Sequence, residues 1–146
     1  MMRNEFTWPI RIYYEDTDAG GIVYHSNYLK FFERTRTEFL RALGWNQQQL
    51  TQDGVCAFVV SSLSIRYRRP ARLDDNIVVT AKITRIRRAS FTIEQKALKD
   101  ETLLAHGEVD VACISPKTGM PIPIPDEMFN QINAALTLET DLNEKI

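Results

Sequence analysis

A chain of 146 residues, 44% hydrophobic and 25% charged, has the composition of one soluble globular domain. Its formal net charge of −1 lacks the strongly basic balance of a general nucleic-acid binder. No window approaches the ~20 apolar residues that span a bilayer, and residues 1–6 lack the apolar stretch of a secretion signal, so the cytoplasm is the expected compartment. Cys56 and Cys113 have neither metal-type nor redox-type spacing and read as small core residues.

Residues 8–15 set Ile10, Ile12 and Tyr14 against Arg11 and Tyr13, an alternation that predicts a strand with one buried face. Asp16-Thr17-Asp18-Ala19-Gly20-Gly21 then breaks the pattern with turn-forming residues. A long helix follows. It begins at Ser26 or Asn27, either of which can cap its first amides, and ends before Gly44, a natural C′ residue. Leu29, Phe32, Phe39, Leu40 and Leu43 fall at helical spacing and predict a buried stripe. Arg36 interrupts that stripe; its stem can lie along apolar surface while its charge reaches water.

Residues 55–115 read as long alternating strands, with short breaks at 70–76, 87–90 and 99–102. Breaks this short favour antiparallel neighbours, because parallel strands need long crossovers. Prolines punctuate residues 116–125, and a short helix after Pro125 carries Phe129, Ile132 and Leu136 on one face. Residues 137–146 are polar and read as a frayed tail, leaving a single domain over residues 1–136. One long helix against one antiparallel sheet is an α+β, two-layer arrangement. The sheet edges and faces that one helix leaves bare predict a homo-oligomer.

Charge is concentrated locally: eight of the 18 basic residues lie between Arg66 and Arg88, opposed there only by Asp74 and Asp75. Such a stretch suits either an anionic ligand or solvated strand faces. More informative is the run from Tyr14 to Tyr28, which holds Glu15, Asp16, Asp18, His25, three tyrosines and two glycines at the mouth of the helix. A helix N-terminus has unpaired N–H groups and a partial positive charge, which favour an oxyanion. Acyl transfer needs such donors where the carbonyl oxygen turns negative, together with a nearby base or nucleophile. An aspartate suffices for that second role. The same residues also make an ordinary turn with a cap.

Tyr13-Tyr14-Glu15-Asp16-Thr17-Asp18-Ala19-Gly20-Gly21-Ile22-Val23-Tyr24-His25, with Asn27-Tyr28 and Phe32-Glu33-Arg34, resembles the signature of the YbgC-type acyl-CoA thioesterases. These are small hot-dog proteins associated with the Tol–Pal system of Gram-negative bacteria, within the 4-hydroxybenzoyl-CoA thioesterase group. Tyr67-Arg68-Arg69-Pro70-Ala71-Arg72-Leu73-Asp74-Asp75 and Glu108-Val109 extend the resemblance over roughly residues 6 to 130. The implied fold is a hot-dog, one long helix packed on a curved antiparallel sheet. The implied activity is hydrolysis of acyl-CoA, with aliphatic acyl groups favoured.

The resemblance implies that Asp18 is the catalytic carboxylate, attacking the thioester carbon or activating water to do so. It places the His25 backbone N–H at the thioester carbonyl, while the imidazole either adds a proton or hydrogen bond or is held by local bonds alone. Tyr14 either orients the carboxylate, lines the acyl pocket or sits in the core, and Asp16 organises the turn. Arg87, Arg88 and Ser90 match where related thioesterases hold the nucleotide and phosphates of CoA. Glu33 and His106 read as structural. Neither a metal nor an organic cofactor is expected, since no ligand cluster stands out. Acyl-CoA is the expected partner, acyl carrier protein an alternative carrier, and a tetramer of two dimers the favoured assembly over a dimer. The rival readings are a carrier-binding scaffold of envelope lipid metabolism and a hot-dog dehydratase, whose His-rich Pro-Gly motif is missing.

Overall fold

The computed structural model describes residues 5–144, with side chains described through residue 136. Strand β1 (Glu5–Arg11) leads through a 3-10 turn (Tyr14–Asp16) to helix α1 (Asn27–Ala42) and the short helix α2 (Gln47–Gln52). Strands β2 (Ala57–Tyr67), β3 (Asn76–Ile86), β4 (Ser90–Lys99) and β5 (Thr102–Ile114) follow, and helix α3 (Asp126–Glu144) ends the described chain. The five strands form one antiparallel sheet in the order β1-β3-β4-β5-β2. This is the α+β arrangement expected from the sequence.

One face of the sheet takes α1. Ile77, Val79, Ala81 and Ile83 from β3 and Phe91, Ile93 and Ala97 from β4 are buried beneath it with Phe31 and Phe32. Each of the two phenylalanines is fully buried, a contribution of about 1.5–3 kcal/mol apiece before entropy is counted. Gly107 on β5 permits the close approach, because a Cβ there would lie 2.8 Å from Phe32 Cε2.

The rotation of α1 differs from expectation. Tyr28, Phe31 and Thr35 join Phe32, Phe39 and Leu40 in the buried stripe, whereas Leu29 is 37% exposed. The helix contacts β1 and β3, so the Leu29 side looks across towards the strand at the other edge of the sheet. Arg36 is only partly buried, and its Nη1 donates to Gln95 Oε1 at 2.9 Å, a partner the stripe did not reveal. Gly44 takes the C′ position with φ 99°. Ser26 stands at the N-cap position with helical angles and no side-chain cap, while the Asn27 amide donates to the Asp16 carbonyl at 2.8 Å.

Two further expectations are corrected. The first strand ends at Arg11 and not at residue 15, because the Asp16 carboxylate accepts the Tyr13 N–H at 2.8 Å and folds the chain into the 3-10 turn. The backbone expected to fray from Thr137 instead continues as α3 through Glu144; residues 145–146 of that tail lie outside the described residues. Cys56 and Cys113 are free and buried, as their spacing suggested.

Strand β2 forms one edge. Its residues Val60, Leu63 and Tyr67 pair with the buried Val111, Val109 and Ala105, so they face the helix side. They are nevertheless 40–47% exposed, because α1 stops short of this edge.

Candidate active site

The turn after β1 is built by backbone bonds on both flanks. Asp18 N–H donates to the Ile22 carbonyl at 2.9 Å, and Gly21 N–H donates to the Asp18 carbonyl at 3.0 Å. A bridge between Thr17 and Val23 closes the loop, and Val23 N–H donates to the Ala71 carbonyl at 2.9 Å, fixing it to the β2–β3 connection. Tyr24 N–H bonds the Asp16 carbonyl at 3.1 Å. Asp18 and His25 therefore stand just inside and just beyond the two ends of one closed loop, and the sequence brings both to the same end of the sheet.

Asp18 is exposed, and its Oδ1 accepts the Gly20 N–H at 2.8 Å. That bond orients the carboxylate and leaves Oδ2 without a partner among the described residues. The N–H groups of Ser26, at the N-cap, and of His25, in the turn just before it, likewise donate to nothing among the described residues. A carboxylate with a free oxygen and a pair of open helix-start amides are the two parts that acyl transfer requires.

Tyr67 Oη, at the end of β2, donates to the His25 carbonyl at 2.9 Å, and the Ala71 N–H donates to Tyr28 Oη at 3.2 Å. The Tyr28 and Tyr67 rings meet edge-on with centroids 5.5 Å apart. Burial pushes both phenols above their ordinary range, so both stay neutral at neutral pH. Beside them a cavity of about 240 Å³ is lined by Ile22, Val23, His25, Tyr28, Tyr67, Arg68, Arg69 and Pro70. It is mainly apolar beneath, with two arginines at its rim.

Tyr14 lies in the 3-10 turn and is 82% exposed, so it is not a strand core residue. Its carbonyl accepts a hydrogen bond from Thr17 Oγ1 at 2.8 Å, and among the described residues the carboxylate of Asp18 is bonded by the Gly20 N–H and not by the Tyr14 hydroxyl. Arg87, Arg88 and Ser90 are not brought to this site in one chain. They form the β3–β4 turn, where Arg87 N–H bonds the Ser90 carbonyl at 2.8 Å, at the opposite end of the sheet. At ~3.3 Å per residue, the length of β4 separates the two ends by roughly 30 Å. His106 is a satisfied sheet histidine, its Nε2 lying 3.1 Å from Glu94 Oε2.

Sequence reasoning missed Tyr67 as a support of the helix start and Arg68 and Arg69 as rim residues. The signal was the Tyr-Arg-Arg-Pro run ending a strand, where proline stops the ladder and turns the side chains to the sheet end.

A family model described as the thioesterase-like superfamily matches residues 13–132. The chain belongs to that superfamily and has its hot-dog fold. It is a homologue of the YbgC proteins: it is 43% identical to the acyl-CoA thioesterase YbgC of Haemophilus influenzae, over 88% of this chain and 94% of that protein. It is 46% identical to the acyl-CoA thioester hydrolase YbgC of Escherichia coli O157:H7, over 82% and 90% of the two chains. Among solved structures, a probable thioesterase from Bartonella henselae superposes with a TM-score of 0.78 at 38% identity, covering 83% of this chain and 99% of the other.

Proposed function

We propose that this chain hydrolyses acyl-CoA thioesters to the free acid and CoA. The observation that carries the reading is the Asp18 carboxylate, held through one oxygen by the Gly20 N–H and open at the other, on a closed loop that leads straight into the unpaired His25 amide. With the thioester carbonyl at that amide, Asp18 either attacks the carbonyl carbon or takes a proton from a water that does. The oxyanion that forms is held at the helix start. Its collapse breaks the C–S bond and releases CoA as thiolate, which takes up a proton. On the covalent route, water then hydrolyses the acyl–aspartyl anhydride. Neither route draws on a metal or an organic cofactor.

The assembly proposed is a homo-oligomer built on the free edge of β2. Two β2 edges related by a twofold axis run antiparallel. That pairing sets the Asp18–His25 end of one sheet beside the Arg87–Ser90 end of the other. It gives the arginine turn a place in trans, where it can reach the nucleotide half of CoA, and a tetramer of two such dimers keeps the arrangement. The carrier in this reading is CoA, with acyl carrier protein as the alternative, and the setting is the cytoplasm.

The test is thiol release from acyl-CoA thioesters of graded length by wild type and Asp18→Asn. Turnover by wild type and a loss of about 10³-fold or more in a folded variant support the reading. No turnover by either protein would replace it with the carrier-binding scaffold.

A further inference from the structure

A second cavity, of about 150 Å³, lies between α1 and the β2 side of the sheet. Its walls include Leu40, Phe58, Phe91, Ile93 and Val111, and its charged members are Arg36 and Glu33. Arg36 sits about 14 Å along the helix axis from Asn27. Its guanidinium is turned inward and makes one hydrogen bond, at 2.9 Å, to Gln95 Oε1. Gln95 is fully buried, and its amide is fixed by the carbonyls of Phe32 at 3.0 Å and Thr80 at 3.3 Å, so the acceptor cannot follow a moving arginine. No carboxylate among the described residues lies within ion-pair distance of Arg36. Burial lowers its proton affinity below the ordinary guanidinium value, the charge of Glu33 one turn away opposes that shift, and the group stays charged.

A guanidinium has five N–H donors, and a half-buried one that uses a single neutral acceptor is incompletely compensated. The open donors border a cavity with one apolar wall and one polar one, where Thr37 and Gln47 join Arg36 and Glu33, and an oxygen atom there would complete them. Leu29, Glu33, Arg36 and Leu40 recur at helical spacing along one side of α1, opposite the exposed Val60, Leu63 and Tyr67 of β2. From the helix start, where Tyr67 bonds the His25 carbonyl, this stripe runs past Arg36 to Leu40.

We propose that the α1–β2 cavity binds the far end of the acyl group and that Arg36 selects chains bearing an uncharged oxygen there, a hydroxyl or keto group. The inference rests on the acyl-thioester reading of the Asp18 site. Glu33 favours the uncharged group: its carboxylate shares the cavity wall, opposes a second carboxylate and can accept a hydrogen bond from a hydroxyl. Replacing the methyl end of a chain with hydroxyl lets Arg36 donate and Glu33 accept, and the apolar wall holds the chain.

The test uses length-matched CoA conjugates ending in methyl, hydroxyl or carboxylate, as non-hydrolysable thioethers for binding and as thioesters for turnover. Wild type should bind and hydrolyse the hydroxyl-ended series about tenfold better than the methyl-ended one, a factor equivalent to about 1.4 kcal/mol. Arg36→Met, which replaces the cation with an apolar side chain of similar length, should bring that ratio to about one. Gln95→Glu gives Arg36 an internal carboxylate and should do the same, so the proposal stays testable if either variant fails to fold by circular dichroism. An unchanged ratio in the folded variants overturns it, as does a wild-type preference for the carboxylate-ended series. Thioether selectivity that depends on Arg36 without any thioester turnover upholds the cavity assignment and defeats the hydrolase reading alone.

Discussion

The phenol of Tyr67 donates to the carbonyl of His25 at 2.9 Å, tying the last residue of β2 to the turn that leads into α1. The bond joins an edge strand to the helix start and fixes the peptide plane next to the amide that would polarise a thioester carbonyl. Both partners are at the margin of the 240 Å³ cavity, so the tie is also part of its wall.

Tyr67→Phe removes that bond and keeps the ring against Tyr28. The expected cost is about 1 kcal/mol of stability, the usual net value of one hydrogen bond. The turnover number should fall by about tenfold, because the helix-start amide loses its fixed aim. Urea unfolding and acyl-CoA hydrolysis measure the two effects separately. Full turnover in the variant would show that the helix start is held without Tyr67.

The two glycines of the turn answer differently to alanine. Gly21 has φ 79°, and alanine there meets the left-handed penalty of about 1–2 kcal/mol, read as a lower unfolding midpoint. Gly20 has an ordinary φ, but a Cβ on it would lie 3.2 Å from Asp18 Oδ1. Gly20→Ala should therefore move the carboxylate by a fraction of an ångström and cut turnover by about tenfold with little change in stability. Equal effects of both substitutions on stability would mean that the Gly20 contact is not what places Asp18.

Much of this was legible in the sequence because it depends on local periodicity. The alternation in residues 57–67 and 76–114 gave the strands, and the Asp-Thr-Asp-Ala-Gly-Gly run gave the turn that presents Asp18. What could not be read was the product of packing between distant segments. Leu29 and Phe31 both fit a helical stripe, and only the docking of α1 over β1 and β3 decides that Phe31 is buried and Leu29 is not. Tyr14 continued the alternation of the first strand, yet one capping bond from Asp16 took it out of the sheet. Arg87 and Arg88 carried the right chemistry, but a strand of ten residues separates their turn from Asp18. Arg36 looked like a snorkelling cation because its acceptor, Gln95, lies 59 residues away in sequence.

Asp110 gives a pH-dependent stability term outside the site. The hydroxyls of Ser62 and Thr92 each donate to its carboxylate at 2.6 Å, joining β2, β5 and β4, and these bonds hold its carboxyl below the usual carboxylate range. A carboxyl depressed in the folded state stabilises the fold fully above its ordinary value and loses that contribution as pH falls through the folded value. Asp110→Asn should therefore cost about 1 kcal/mol near neutral pH, and the gap to wild type should close below about pH 4. Urea titrations at the two pH values read the difference directly. A gap that stays constant with pH would assign the loss to packing.

The assembly on β2 makes the sharpest demand. Leu63 faces the helix side of an edge strand and is 40% exposed, so a charge there costs a lone subunit little. In two paired β2 edges the same side chain is buried near the twofold axis, where an unpaired charge is expensive and is duplicated by symmetry. Leu63→Glu should shift the sedimentation coefficient to that of a monomer and leave the helical and strand content unchanged by circular dichroism. If the Arg87–Ser90 turn serves the site in trans, the monomer should lose most of its turnover of acyl-CoA. Arg88→Ala in the intact assembly should then raise KM by about tenfold with a smaller effect on kcat, because binding to the nucleotide half contributes equally before and during the chemical step. A wild-type protein that sediments as a monomer, or a Leu63→Glu monomer with full activity, would return the whole site to one chain and leave the arginine turn outside it.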